Sequence, residues 1–172
     1  MKSLKSMFVR AALVLSVILS AFSTPAMAQA FTDYAENRLV DALFRGQSLG
    51  APATWYVGLL TSACSDSATG TEVSGGSYAR VAVTASLANF AGTQSAGSTT
   101  ASSGTGGVTS NNAAITFPAP TANWGTVSHY GFYDASTSGN QWLCVSLTIS
   151  KTINSGDSAP SFAIGAATVT IQ

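Results

Sequence analysis

His129 is the only histidine of this 172-residue chain, and the carboxylate that follows it, Asp134, stands five residues on. Held together, the two could orient an imidazole as a general base toward one of the many serines. Residues 126–134 (TVSHYGFYD) read as a strand, however, and a strand turns residues an odd number apart to opposite faces. His129 and Asp134 therefore point apart, and no GxSxG elbow frames a nucleophile. Asp33, Glu36 and Asp41 fall in a helical segment, while Asp66, Glu72, Asp134 and Asp157 fall at or near turns, where Asp hydrogen-bonds its own backbone. They form neither a glycosidase-type carboxylate pair nor an EF-hand. With one histidine and no CxxC, a zinc or redox centre is not supported either. No catalytic residue, metal or cofactor is expected.

The remaining chemistry lies in Cys64 and Cys144. An even pair in an oxidising compartment favours a disulfide closing a long loop, with two free thiols as the alternative. The compartment is read from the start of the chain. Lys2, Lys5 and Arg10 precede an uncharged run, residues 11–22 (AALVLSVILSAF), and residues 23–28 (STPAMA) end in an A-x-A pattern. This is the layout of a secretory signal peptide cleaved after Ala28. The run is too short for a membrane anchor, which takes about 20 apolar residues. Residues 29–172 are then one exported domain, secreted, periplasmic or on the cell surface, with no membrane attachment once the leader is removed.

The leader holds three of the seven basic residues, so Arg38, Arg45, Arg80 and Lys151 remain against seven acids. Scattered cations in an acidic excess argue against nucleic acid as a partner. Charged residues make up 8% of the chain, against about 25% in ordinary soluble domains. A surface of Ser, Thr, Gly, Asn and Ala loses little when buried against a copy of itself, so a homo-oligomer such as a trimer or filament is expected.

These residues must be positioned by short strands and one helix. Residues 32–45 (TDYAENRLVDALFR) predict an amphipathic helix, over about 33–45, with Asp33 and Glu36 as a capping-box-like start and Gly46 as the stop. Leu39, Val40, Leu43 and Phe44 form its apolar face, with Tyr34 and Ala35 one turn earlier, and it should cap the core by packing on a sheet, the alternative being an assembly element that docks on a neighbouring copy. Strands are predicted at 54–60 (TWYVGLL), 78–87 (YARVAVTASL), 113–117 (AAITF), 126–134, 141–149 (QWLCVSLTI) and 167–171 (ATVTI), with a tight hairpin at 135–140 (ASTSGN). In 141–149, Leu143, Val145, Leu147 and Ile149 are assigned to the core face, and Trp142, Cys144, Ser146 and Thr148 to the other. Residues 91–107 (AGTQSAGSTTASSGTGG) read as a surface Ser/Thr/Gly loop, a flexible spacer before a binding loop. The fold class is mainly β, an antiparallel β-sandwich, jelly-roll-like or Ig-like, with one short N-terminal helix.

The segments YAENRLVDALFRG, APATWYVGLLT, GTEVSGGSYARVAV, SNNAAITFPAPTANWGTVSHYGFYDA, SGNQWL and SKTINSGDSAPSFAIGAATVTI, in this order, resemble a family of small tail-fibre-type structural proteins of tailed bacteriophages and prophages. The stretch 124–134 and the SKTxxSGD pattern at 150–157 are the most specific parts. The resemblance implies a β-sandwich virion or tail component without enzymatic activity or cofactor, and carries over no functional residue. The leader and the cysteine pair depart from the family pattern. They fit a prophage module recruited as an exported surface or filament subunit, whose partners are copies of itself, other virion or filament proteins, or a cell-surface glycan. The competing class is an extracellular carbohydrate-binding module, in which Trp55, Tyr56, Trp124, Tyr130 and Trp142 would supply stacking platforms. Strand periodicity places most of these rings in the core or an interface.

Overall fold

The computed structural model describes residues 29–94, 97–103 and 106–171, so the signal-peptide reading of residues 1–28 lies outside the described residues. Along the chain run β1 (Gln29–Phe31), α1 (Asp33–Phe44), β2 (Thr54–Leu60), β3 (Val81–Thr84), β4 (Val108–Ser110), β5 (Ile115–Thr116), β6 (Gly125–Tyr133), β7 (Gln141–Ile153), β8 (Ser161–Phe162) and β9 (Thr168–Thr170). Five strands form one antiparallel sheet in the order β1-β7-β6-β2-β3, and β4-β9 and β5-β8 form two further antiparallel ribbons.

Strand alternation explains the core. Val57 and Leu59 of β2, Tyr130 and Phe132 of β6, and Val145 of β7 meet Ile115, Phe117 and Val169 from the ribbon side in one buried cluster. Each such side chain contributes about 1.5–3 kcal/mol by leaving water. The result is the expected mainly β, antiparallel, sandwich-like fold. Its second layer is two ribbons and not a continuous sheet, and Pro118 and Pro160, beside β5 and β8, lack the N–H that would lengthen that ribbon's ladder. Asn111, 1% exposed, ties this layer together. Its amide nitrogen donates to the Ala113 and Ala163 carbonyls, and its side-chain oxygen accepts from the Ala167 N–H, each at 2.8 Å.

Three expectations need correction. The cap of α1 is Thr32, one residue before the predicted start: its hydroxyl accepts from the Ala35 N–H and donates to the Gln141 carbonyl at 2.5 Å. Gly46, at φ +67°, provides the predicted stop. The apolar face of α1 does not lie flat on the sheet. Ala35 is buried and Leu39 half-buried, but Val40, Leu43 and Phe44 are 50%, 72% and 82% exposed. The first turn is the anchored one, through Thr32 and through the Asp33 N–H on the Asp66 carbonyl, and the last turn stands in solvent.

β7 also departs from simple alternation. Tyr133 pairs with Gln141 and Phe132 with Leu143, so Trp142 is an extra residue in a bulge. A bulge re-aims the side chain it inserts, and the Trp142 ring turns edge-on to both Trp55 and Tyr34 at 5.5 and 5.4 Å. Farther on, Val127 pairs with Lys151 and His129 with Ser146, leaving residues 147–150 opposite Ser128 alone. Ile149, assigned to the core face, is therefore thrown outward and is 82% exposed. Cys144, assigned to the opposite face, is buried there. Within the Ser/Thr/Gly segment, Ala91 and Gly92 are buried, and Gln94 organises the loop by donating to Ser98, Thr100 and Ala101.

Candidate functional site

The most concentrated polar chemistry is a cluster that sequence reasoning missed. The Leu60–Glu72 bridge and β3 bring Glu72 and Arg80 together. Arg80 donates through Nε and Nη2 to the two carboxylate oxygens at 2.8 and 2.7 Å, a bidentate pair. Its Nη1 donates to the Ala135 and Ser138 carbonyls, so the guanidinium also fastens the β6–β7 hairpin. Tyr78 donates its hydroxyl to Glu72 at 2.8 Å and accepts from the Leu59 N–H. Burial, with the Glu72 charge adding to it, pushes the Tyr78 phenol far above its ordinary value, and the same causes push Tyr133 up to about 12. Burial works against the Arg80 charge, but Glu72 outweighs it and holds the guanidinium above its usual value. Every group here has partners inside the fold, which makes the cluster a brace. A signal existed: Glu72 and Arg80 are the only charged residues between Asp66 and Asp134.

His129 and Asp134 are not brought together as a base and its orienting acid. The His129 Nδ1 is 2.9 Å from the hydroxyl of its neighbour Ser128, and burial lowers its proton affinity. Asp134 accepts from the Asn140 backbone and side chain and from Trp142 Nε1. Burial opposes the Asp134 charge, and these bonds outweigh it, holding the carboxyl below its ordinary value. Among the described residues, no group of three or more His, Cys, Asp or Glu side chains gathers to hold a metal ion.

The candidate stacking rings are mostly inside. Trp124, Tyr130 and Trp142 are each 5% exposed or less, while Trp55 and Tyr56 are half-buried. Trp124 donates to the Gly76 carbonyl at 2.9 Å, and Tyr130 to that of Thr168 at 2.8 Å, its phenol pushed up to about 12 by burial. Cys64 and Cys144 are joined in a disulfide, their Cα atoms 6.2 Å apart. The bridge ties the loop after β2 to β7, and that same loop receives the first N–H of α1 through Asp66.

The surface feature with the strongest chemical character is an apolar groove of about 550 Å³. Phe31 and Leu39 wall it from the N-terminal arm, Leu87 and Phe90 from the loop after β3, and Ile171 from the end of the chain, over a floor of Trp55, Phe132 and Trp142. Among the described residues, no charged side chain lines it. Leu87 and Ile171 at its rim are 53% and 52% exposed, and Leu43 and Phe44 stand in solvent a turn beyond Leu39. Single exposed apolar side chains are ordinary, whereas contiguous apolar patches recur at interaction sites and ligand-binding grooves. Its residues lie far apart in sequence, and only α1, as a candidate assembly element, was legible.

Among the described residues no helix is long and apolar enough to cross a membrane. No curated protein matches the chain. One protein-family model does, over residues 30–170, from within β1 to the last residue of β9. The helix, all strands but the first residue of β1, and the groove lining except Ile171 fall inside that match, and the chain belongs to the family described as Podophage GP4 fiber I protein gp80.

Proposed function

We propose that the chain is a non-enzymatic structural or adhesion subunit of phage tail-fibre type, exported by its first 28 residues and assembling with copies of itself. The observation that carries this reading is the family match across residues 30–170. The virion or a fibre-like filament is then its destination, and other virion proteins its further partners. The disulfide fits an oxidising compartment, and the low charge fits a surface made to be buried. The carbohydrate-binding alternative loses its main support, since three of its rings are packed inside.

Intact-mass measurement and electron microscopy of exported protein test the reading. The expected result is a mature start at Gln29 and symmetric oligomers, rings or filaments. A retained Met1, or a monomer that binds glycans on an array, would overturn it.

A further inference from the structure

We infer that the apolar groove receives the last turn of α1 from a second copy of this chain, in a reciprocal two-fold contact. This rests on the self-assembly part of the proposed function and names the surface that performs it. Knob and hole occur side by side on one molecule. Leu39 lines the groove, Leu43 lies one turn farther on the same helical row, and Phe44 follows Val40 on the adjacent row. The chain then returns, so that Leu49 also lines the groove. Because knob and hole are adjacent, one two-fold axis between two copies satisfies both at once, which makes the contact isologous and closed.

Charge and area agree with that occupant. The described residues of the groove lining are uncharged, and the one charged residue between Leu39 and Phe44, Asp41, is already paired with Arg45 at 2.6 Å. Docking the helix end therefore strands no lone charge. Val40, Leu43, Phe44, Leu87 and Ile171, at 50–82% exposed, offer roughly 500 Å² per chain, so a reciprocal pair covers about 1,000 Å², the lower bound for a specific interface.

Sedimentation velocity of the purified protein over a wide concentration range tests this, with Leu43→Ser, Phe44→Ser and, as a control at the exposed β7 bulge, Ile149→Ser. The expected result is a concentration-dependent dimer whose dissociation constant rises at least about tenfold in the two helix variants, with unfolding midpoints unchanged, and stays the same in Ile149→Ser. Association indifferent to Leu43 and Phe44 overturns the assigned surface and leaves self-assembly standing. A monomer at every concentration that begins near Gln29 overturns both, and gives the groove to a different molecule. A monomer whose mass still includes residues 1–28 likewise overturns the proposal.

Discussion

The guanidinium of Arg80 lies 3.5 Å over the centre of the Tyr133 ring while its edge is held by both oxygens of Glu72. One face of the cation is thus taken by an aromatic quadrupole and its donors by a carboxylate and two hairpin carbonyls. Arg80 joins β3, the Glu72 segment and the β6–β7 hairpin, three parts of the chain that share no local sequence.

Replacing Arg80 with alanine removes the counter-charge and two of the donors of Glu72, leaving it the Tyr78 hydroxyl, and takes the Arg80 donor from two carbonyls. The Arg80 side chain is 7% exposed and that of Glu72 26%, so the loss belongs with broken buried pairs and should cost about 3 kcal/mol. Urea unfolding measures it. Arg80→Lys should recover only part, because a point charge cannot serve Glu72 bidentately and both carbonyls together. A loss under about 1 kcal/mol for Arg80→Ala would contradict the bracing role.

Gly58 leaves the space the cluster occupies. A Cβ there would stand 2.8 Å from a Glu72 carboxylate oxygen and 3.0 Å from both the Tyr78 hydroxyl and the Tyr133 ring. Gly58→Ala is expected to destabilise by about 1–3 kcal/mol through overpacking. The thermal midpoint should fall accordingly, whereas Gly46→Ala meets nothing within 4 Å and loses only through its positive φ, by about 1 kcal/mol.

The disulfide encloses a sequence separation of 80 residues, for which the chain-entropy relation gives roughly 4 kcal/mol. Denatured, unreduced protein should show no reactive thiol, and the Cys64→Ser/Cys144→Ser double variant should unfold at correspondingly lower urea. Because the bridged loop also receives the Asp33 N–H, removing the bridge should loosen α1 first. Amide exchange at Tyr34 and Ala35 would then quicken more than at Val57, and equal changes at both would refute that order.

Alkali should weaken the fold through Tyr130 and Tyr133, both raised from 10 to about 12, chiefly by burial. The folded state prefers the neutral phenol, so the stabilisation is complete below the unfolded-state value of 10 and is lost as pH rises toward 12. Each ring accounts for on the order of 2 kcal/mol at the top of that window. Urea midpoints measured at about pH 9 and about pH 11.5 should drop steeply, and Tyr130→Phe should flatten the slope. A midpoint independent of pH across this range would rule the linkage out.

Legible in the sequence were the class of the fold, most strand positions, the helix, the family, and two cysteines for which a bridge was one of two readings. Each rests on signals that are local or countable: alternation in 54–60, Gly-Asn in the hairpin, Gly46 after the helix, two cysteines, and ordered motifs from Tyr34 to Ile171. Only the tertiary structure decided what lay against the alternating faces. The bulges at Trp142 and Ile149 depend on the register that β6 imposes on β7, and no period-2 pattern within β7 encodes its neighbour's offset. The exposure of Leu43 and Phe44 follows from α1 being anchored at Thr32 and Asp33, whereas helical periodicity gives only which residues share a face. Glu72 and Arg80 were visible as isolated charges, but their pairing needed β2 to carry Leu60 beside Glu72. The groove needed residues as distant as Phe31 and Ile171 to line one space. Surfaces built from long-range neighbours are set by strand order, which is a property of the folded chain.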